Sequence, residues 1–81
     1  MSMDRMDEGT LTVVMPAYNE ETLIEGAVRE VQDQVFKVLP QARLIVVDDG
    51  SRDNTGTILD ELAKEDDRIT IIHQENGGHG M

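Results

Sequence analysis

The stretch Arg43-Leu44-Ile45-Val46-Val47-Asp48-Asp49-Gly50 decides the fold. Four aliphatic residues, three of them β-branched, run without a break into two carboxylates and a turn glycine, the strongest strand signal in the chain. A run that is apolar at consecutive positions suits a strand covered on both faces, as in a parallel sheet. Toward the N-terminus, Leu11, Val13, Val14 and Met15 form a second such run, which Pro16 is expected to end. Between the two runs the period changes: Ile24, Val28, Val31 and Val35 recur at helical spacing and form one apolar stripe. Asn19 is placed to cap that helix, Glu20 and Glu21 suit the positive end of its dipole, and Pro40 stops it. Toward the C-terminus, Asp53 or Asn54 can cap a second helix with the stripe Ile58, Leu59, Leu62 and Ala63. The acids Glu65-Asp66-Asp67 lie at the negative end of that helix and predict fraying there. Ile69, Ile71 and Ile72 make a third strand.

The element order β-α-β-α-β predicts an α/β fold. Right-handed crossovers give a three-stranded parallel sheet in the order 3-2-1 with two crossover helices, one half of a Rossmann-like sheet. Strand 1 is then a bare apolar edge. Natural proteins seldom leave such an edge open, so either another part of the protein covers it or the chain is a fragment. The same edge predicts a homodimer in which two copies pair through strand 1. Residues 1–9, MSMDRMDEG, read as a disordered lead, and residues 10–81 as the domain.

Composition narrows the function. Eighty-one residues supply one small domain at most. Seven Lys and Arg against 17 Asp and Glu, a formal charge of −10, argue against nucleic acid and against an anionic membrane surface. Two aromatic residues, Tyr18 and Phe36, exclude a base-stacking platform of several rings. The absence of cysteine removes disulfides and thiolate zinc sites. The polar, acidic start has no apolar signal-peptide core, and the longest aliphatic runs fall far below the ~20 residues that span a bilayer. The expected location is cytoplasmic.

Ligands of open parallel sheets bind outside the carboxyl ends of the strands. Three polar clusters fall there: Pro16-Ala17-Tyr18-Asn19-Glu20, Asp48-Asp49-Gly50-Ser51, and His73 through Gly80. An aromatic ring can cover a planar base, and a carboxylate can accept hydrogen bonds from base N–H groups or ribose hydroxyls. With few basic residues, the segment suits nucleoside recognition better than phosphate recognition. Each cluster also has a plain reading: Tyr18 as a plug at the sheet end, Asn19 and Glu20 as a cap, Asp48 and Asp49 as turn formers. Adjacent strand residues point to opposite faces, so Asp48 and Asp49 do not readily share one ion. A calcium loop starting at Asp49 fails, because Asn54 stands where Gly is needed and Asp60 where Glu is needed. Gly77-Gly78-His79-Gly80 matches neither the P-loop nor the dinucleotide fingerprint, His73 and His79 show no metal-ligand spacing, and no nucleophilic triad is present.

Two blocks, Val13-Val14-Met15-Pro16-Ala17-Tyr18-Asn19-Glu20-Glu21 and Ile45-Val46-Val47-Asp48-Asp49-Gly50-Ser51-Arg52-Asp53-Asn54-Thr55, resemble the opening of a family-2 glycosyltransferase, and Asn76-Gly77-Gly78-His79-Gly80 fits the same family. Within it, the chain is most similar to dolichol-phosphate mannose synthase-like and other polyprenyl-phosphate-linked enzymes. The resemblance implies the N-terminal half of a GT-A nucleotide-binding domain. It implies transfer of a sugar from a UDP- or GDP-sugar to an acceptor such as a polyprenyl phosphate, with a divalent metal (Mg or Mn) bridging the diphosphate. Carried over by position, Pro16, Ala17, Tyr18, Glu20, Val47 and Asp49 bind the nucleotide sugar, Asp48 braces the turn, and Gly78 lies in a loop approaching the donor. The family's metal-binding Asp-x-Asp lies beyond the third strand. The resemblance therefore implies that these 81 residues hold neither the metal nor a catalytic residue and are inactive alone, with membrane contact left to other regions. The alternative is a non-catalytic α/β module that binds a protein partner through the open sheet edge. A flavodoxin-like or receiver fold needs about five strands where three are read.

Overall fold

A computed structural model describes residues 11–75. The lead at residues 1–9 and the glycine-rich segment with Gly78 lie outside the described residues. The elements follow the expected order: β1 (Thr12–Ala17), α1 (Ile24–Val31) continuing into a π-helical turn (Gln32–Phe36), β2 (Arg43–Asp49), α2 (Thr55–Glu65) and β3 (Ile69–Gln74). The sheet runs β1-β2-β3 with both pairs parallel, which is the 3-2-1 arrangement.

Strand alternation divides the sheet into two faces. One carries the rows Val13–Leu44–Ile69, Met15–Val46–Ile71 and Ala17–Asp48–His73. Two crossovers of one hand, stepping the same way across the sheet, put both helices over that face. Ile24 and Val28 of α1, Phe36, and Leu59 and Leu62 of α2 close the core against Ala17, Leu44, Val46 and Ile69. The other face carries Val14–Ile45–Thr70 and Pro16–Val47–Ile72. No described element covers it: Val14 is 63% exposed and Ile72 44%. The consecutive apolar runs thus mark strands with two apolar faces, of which the described residues cover one, rather than both as the pattern predicts.

Two local expectations are corrected, and a third is refined. Pro16 does not end β1, which continues to Ala17. The Arg43 N–H bonds the Leu11 carbonyl, so alternation turns the nitrogen of Pro16 away from β2, and its missing N–H costs no ladder bond. Asn19 does not cap α1. The Glu20 carbonyl instead takes the N–H groups of Leu23 and Ile24 at 2.9 and 2.8 Å, and the helix begins at Ile24. α2, expected to be weakened at its acidic end, is helical through Glu65, and two of the three acids there have cationic partners. Glu65 meets Arg29 at 3.3 Å, and Asp66 takes three bonds from Arg68, whose guanidinium also stacks 4.3 Å from the Phe36 ring centroid.

Candidate functional site

The carboxyl ends of β1 and β2 are adjacent, and the loops that leave them are tied together. After Asp49, Gly50 takes φ 73°, a left-handed value that costs glycine little and turns the chain toward α2. The turn is braced from below: Asp48, 5% exposed on the helix-covered face, accepts the Ser51 N–H at 3.2 Å through one carboxylate oxygen. On the β1 side, Asn19 adopts φ 52°, and both its ends are held by the neighbouring loop. Its N–H donates to Ser51 Oγ at 3.0 Å, and its Oδ1 accepts the Arg52 N–H at 2.8 Å. The lacing continues into the start of α2. The Glu20 N–H donates to Thr55 Oγ1 at 2.8 Å, the Glu21 N–H to Asp53 at 3.3 Å, and the Asn54 N–H to Glu21 at 3.0 Å. Asp53 is the acid that serves the helix start, accepting the Thr55 N–H and hydroxyl, and these bonds hold its carboxyl below the ordinary aspartate value.

Above this frame, Tyr18, Gly50, Arg52 and Glu75 line an open depression at the sheet's carboxyl end. Tyr18 is 43% exposed there. Pro16 and Val47 lie side by side on the open face, next to Ile72. Asp49 belongs to the same face and accepts a 3.2 Å bond from the Gln74 amide. Ala17 is buried in the core, so only its backbone is available to a ligand. Glu20 keeps an exposed side chain while its backbone serves the loop and the helix. Sequence reasoning missed Arg52 and Glu75, whose place on the rim depends on how the loops fold back. It also missed the pairing of His73 with Asp48. Counting strand parity carries that signal: each lies four residues beyond a member of the Leu44–Ile69 pair, so both face the helices.

Asp48 and Asp49 point to opposite faces, as adjacent strand residues do. Burial pushes the Asp48 carboxyl up, but hydrogen bonds from Ser51 and His73 outweigh it and leave it below the ordinary value. Its second oxygen lies 2.9 Å from His73 Nδ1, and His73 Nε2 lies 2.9 Å from Asp60. Both Asp48 oxygens are therefore engaged. Among the described residues, no three His, Asp or Glu side chains gather to hold a metal ion, and no helix is long and apolar enough to cross a membrane.

The model of the family described as Glycosyl transferase family 2 matches residues 12–81. The chain belongs to that family. Among curated proteins, it is 39% identical over 70 residues to the GalNAc(5)-diNAcBac-PP-undecaprenol beta-1,3-glucosyltransferase of Campylobacter jejuni, covering 86% of this chain and 22% of that protein. It is 42% identical over 66 residues to the polyprenol monophosphomannose synthase of Mycolicibacterium smegmatis, covering 76% and 22%. It is 43% identical over 68 residues to the glycosyltransferase AglD of Haloferax volcanii, covering 82% and 11%. The family and the likeness to polyprenyl-linked enzymes agree with the sequence reading. The family-2 segment seen here spans about a fifth of the length of the first relatives it matches.

Proposed function

We propose that this segment is the nucleoside-binding opening of a glycosyltransferase that moves a sugar from a UDP- or GDP-sugar to a polyprenyl-phosphate acceptor. One observation carries the reading: the two family blocks end side by side, with the Tyr18 loop bonded directly to the turn after Asp49. The Tyr18 ring covers one face of the base. Asp49, bonded among the described residues to the Gln74 amide, accepts base or ribose hydrogen bonds. Pro16 and Val47 form the apolar floor, Ala17 contributes backbone, and Glu20 lies at the rim. Gly78 belongs to the loop that approaches the donor. The printed names of the relatives, which include an undecaprenol-linked glucosyltransferase and a polyprenol monophosphomannose synthase, support the lipid-linked acceptor.

In this reading the metal, Mg or Mn, is held elsewhere. Asp48 is committed to His73 and Ser51, and Asp49 faces the other side of the sheet. The 81 residues alone are inactive, the enzyme works at the cytoplasmic face of a membrane reached through other regions, and copies pair through the β1 edge. Titrating the protein with UDP and with GDP in the presence of Mg tests the site. One nucleotide is expected to move the Tyr18 and Asp49 amide signals, and Tyr18→Ala or Asp49→Ala to weaken binding about tenfold each. Unmoved signals with both nucleotides would refute it.

A further inference from the structure

His73 lies outside the depression, yet it sits at the head of a continuous chain of bonds that ends there. Asp60 on α2 meets His73 Nε2 at 2.9 Å, and His73 Nδ1 meets Asp48 at 2.9 Å. The other Asp48 oxygen takes the Ser51 N–H at 3.2 Å, and the Ser51 hydroxyl takes the Asn19 N–H, next to Tyr18, at 3.0 Å. Both ring nitrogens face carboxylate oxygens. Ionised carboxylates only accept, so both nitrogens have to donate, and among the forms of histidine only the imidazolium does that. The start of α2 also presses on this pair: a Cβ at Gly56 would lie 2.8 Å from Asp48 Oδ2 and 3.3 Å from His73 Cε1. The charged groups facing the ring are Asp48 from β2 and Asp60 from α2, and the next residue in its row, Ala17 of β1, is apolar.

We infer that His73 is a positioning residue for the nucleoside site, clamping Asp48 so that the Ser51 turn and the Tyr18 loop are held in register. This rests on the nucleoside-binding reading for its consequence, though not for its geometry. The hydrogen bonds that His73 donates to Asp60 and then to Asp48 raise its affinity for its proton. A raised folded value means the clamp is complete below the unfolded histidine value of about 6.5 and is released as pH climbs through the folded value. Once neutral, the ring keeps one N–H for two acceptors, and the buried Asp48 loses its counter-charge.

Long-range proton–nitrogen NMR of the imidazole tests this in the protein as it stands. Below the His73 midpoint both nitrogens are expected to be protonated, that midpoint to lie above the ordinary histidine value, and the Ser51 and Asn19 amide signals to move with the His73 titration. The dissociation constant for UDP or GDP should rise about tenfold across the same midpoint. Asp60→Asn changes an exposed residue that does not line the depression and should move all these midpoints together to lower pH. A purely structural histidine would not transmit that shift. A His73 midpoint at or below the ordinary histidine value, or an Asp60→Asn protein whose His73 midpoint moves while the two amides stay still, overturns the inference. Amides that follow His73 without nucleotide binding at any pH leave the clamp standing and refute the nucleoside reading instead.

Discussion

The tight approach of α2 to the Asp48–His73 pair makes one substitution change sign with its site. Gly56 is the second residue of α2, and Gly26 is the third residue of α1. Replacing either by Ala gains helix propensity, about 0.5–1 kcal/mol. At Gly26 nothing lies within 4 Å of the added Cβ, so the gain stands. At Gly56 the new methyl meets Asp48 Oδ2 at 2.8 Å, closer than real contacts allow. That oxygen ends a short side chain pinned by His73 and Ser51, so it yields only by stretching those bonds. Overpacking of a tight site costs about 1–3 kcal/mol, and weakening a charge-assisted bond adds to it. The net expectation is a loss of about 1–2 kcal/mol for Gly56→Ala beside a gain of about 0.5–1 kcal/mol for Gly26→Ala. For a domain of this size each kcal/mol moves Tm by roughly 4–8 °C. Urea and thermal unfolding followed by circular dichroism would read both variants. His73 should also titrate lower in Gly56→Ala, because the displaced carboxylate no longer holds its proton. Equal stabilisation by the two alanines would refute the close-packed clamp.

Three further outcomes are expected. The Arg68 guanidinium bonds hold Asp66 at about 2, below its unfolded value, so this contribution is full above about pH 4 and is lost as pH falls through 2. Arg68→Met should therefore flatten the acid limb of the stability curve by about 1–2 kcal/mol, allowing for the partial exposure of Arg68, as read from urea midpoints between pH 2 and 5. Asn19→Ala removes the acceptor for the Arg52 N–H and leaves at φ 52° a residue that tolerates left-handed backbone less well than Asn, so a loss of about 1–2 kcal/mol is expected. Asn19→Gly should recover the backbone part of that loss, and equal stability of the two variants would contradict the strain argument. Light scattering over a concentration series should show dimers forming through β1, and a monomer persisting at high concentration would remove that reading.

The strands and helix stripes were legible because each depends on local periodicity. Leu44 to Val47 could hardly be anything but a strand, and Ile24, Val28, Val31 and Val35 all meet the core. Errors came where a distant partner outbid a local one. Asn19 followed by two glutamates has the form of a helix start, yet its partners are Ser51 and Arg52, 32 and 33 residues away. The acids closing α2 look repulsive in isolation, but Arg29 reaches Glu65 from 36 residues away, and Arg68 folds back onto Asp66 from the next turn. Pro16 reads as a terminator until its strand proves to be an edge with the nitrogen turned outward.

The pair Asp48-Asp49 concentrates the relation between pattern and chemistry. Side by side in the chain, two carboxylates suggest one acidic site, but the two-residue period of a strand separates them. Asp48 goes inward, where a carboxylate is tolerated only with full hydrogen bonding, and it finds Ser51 and His73. Asp49 goes outward to the open face, where among the described residues an exposed amide holds it. The inner acid sets the turn, and the outer one is left available to a ligand. This division predicts opposite signatures for the same change: Asp48→Asn should destabilise the fold by leaving the His73 cation short of a partner. Asp49→Asn should leave unfolding almost unchanged and act on nucleotide binding alone. A variant pair with those signatures exchanged would mean that the register Asp48–His73 and Asp49–Gln74 does not describe how the two acids are used.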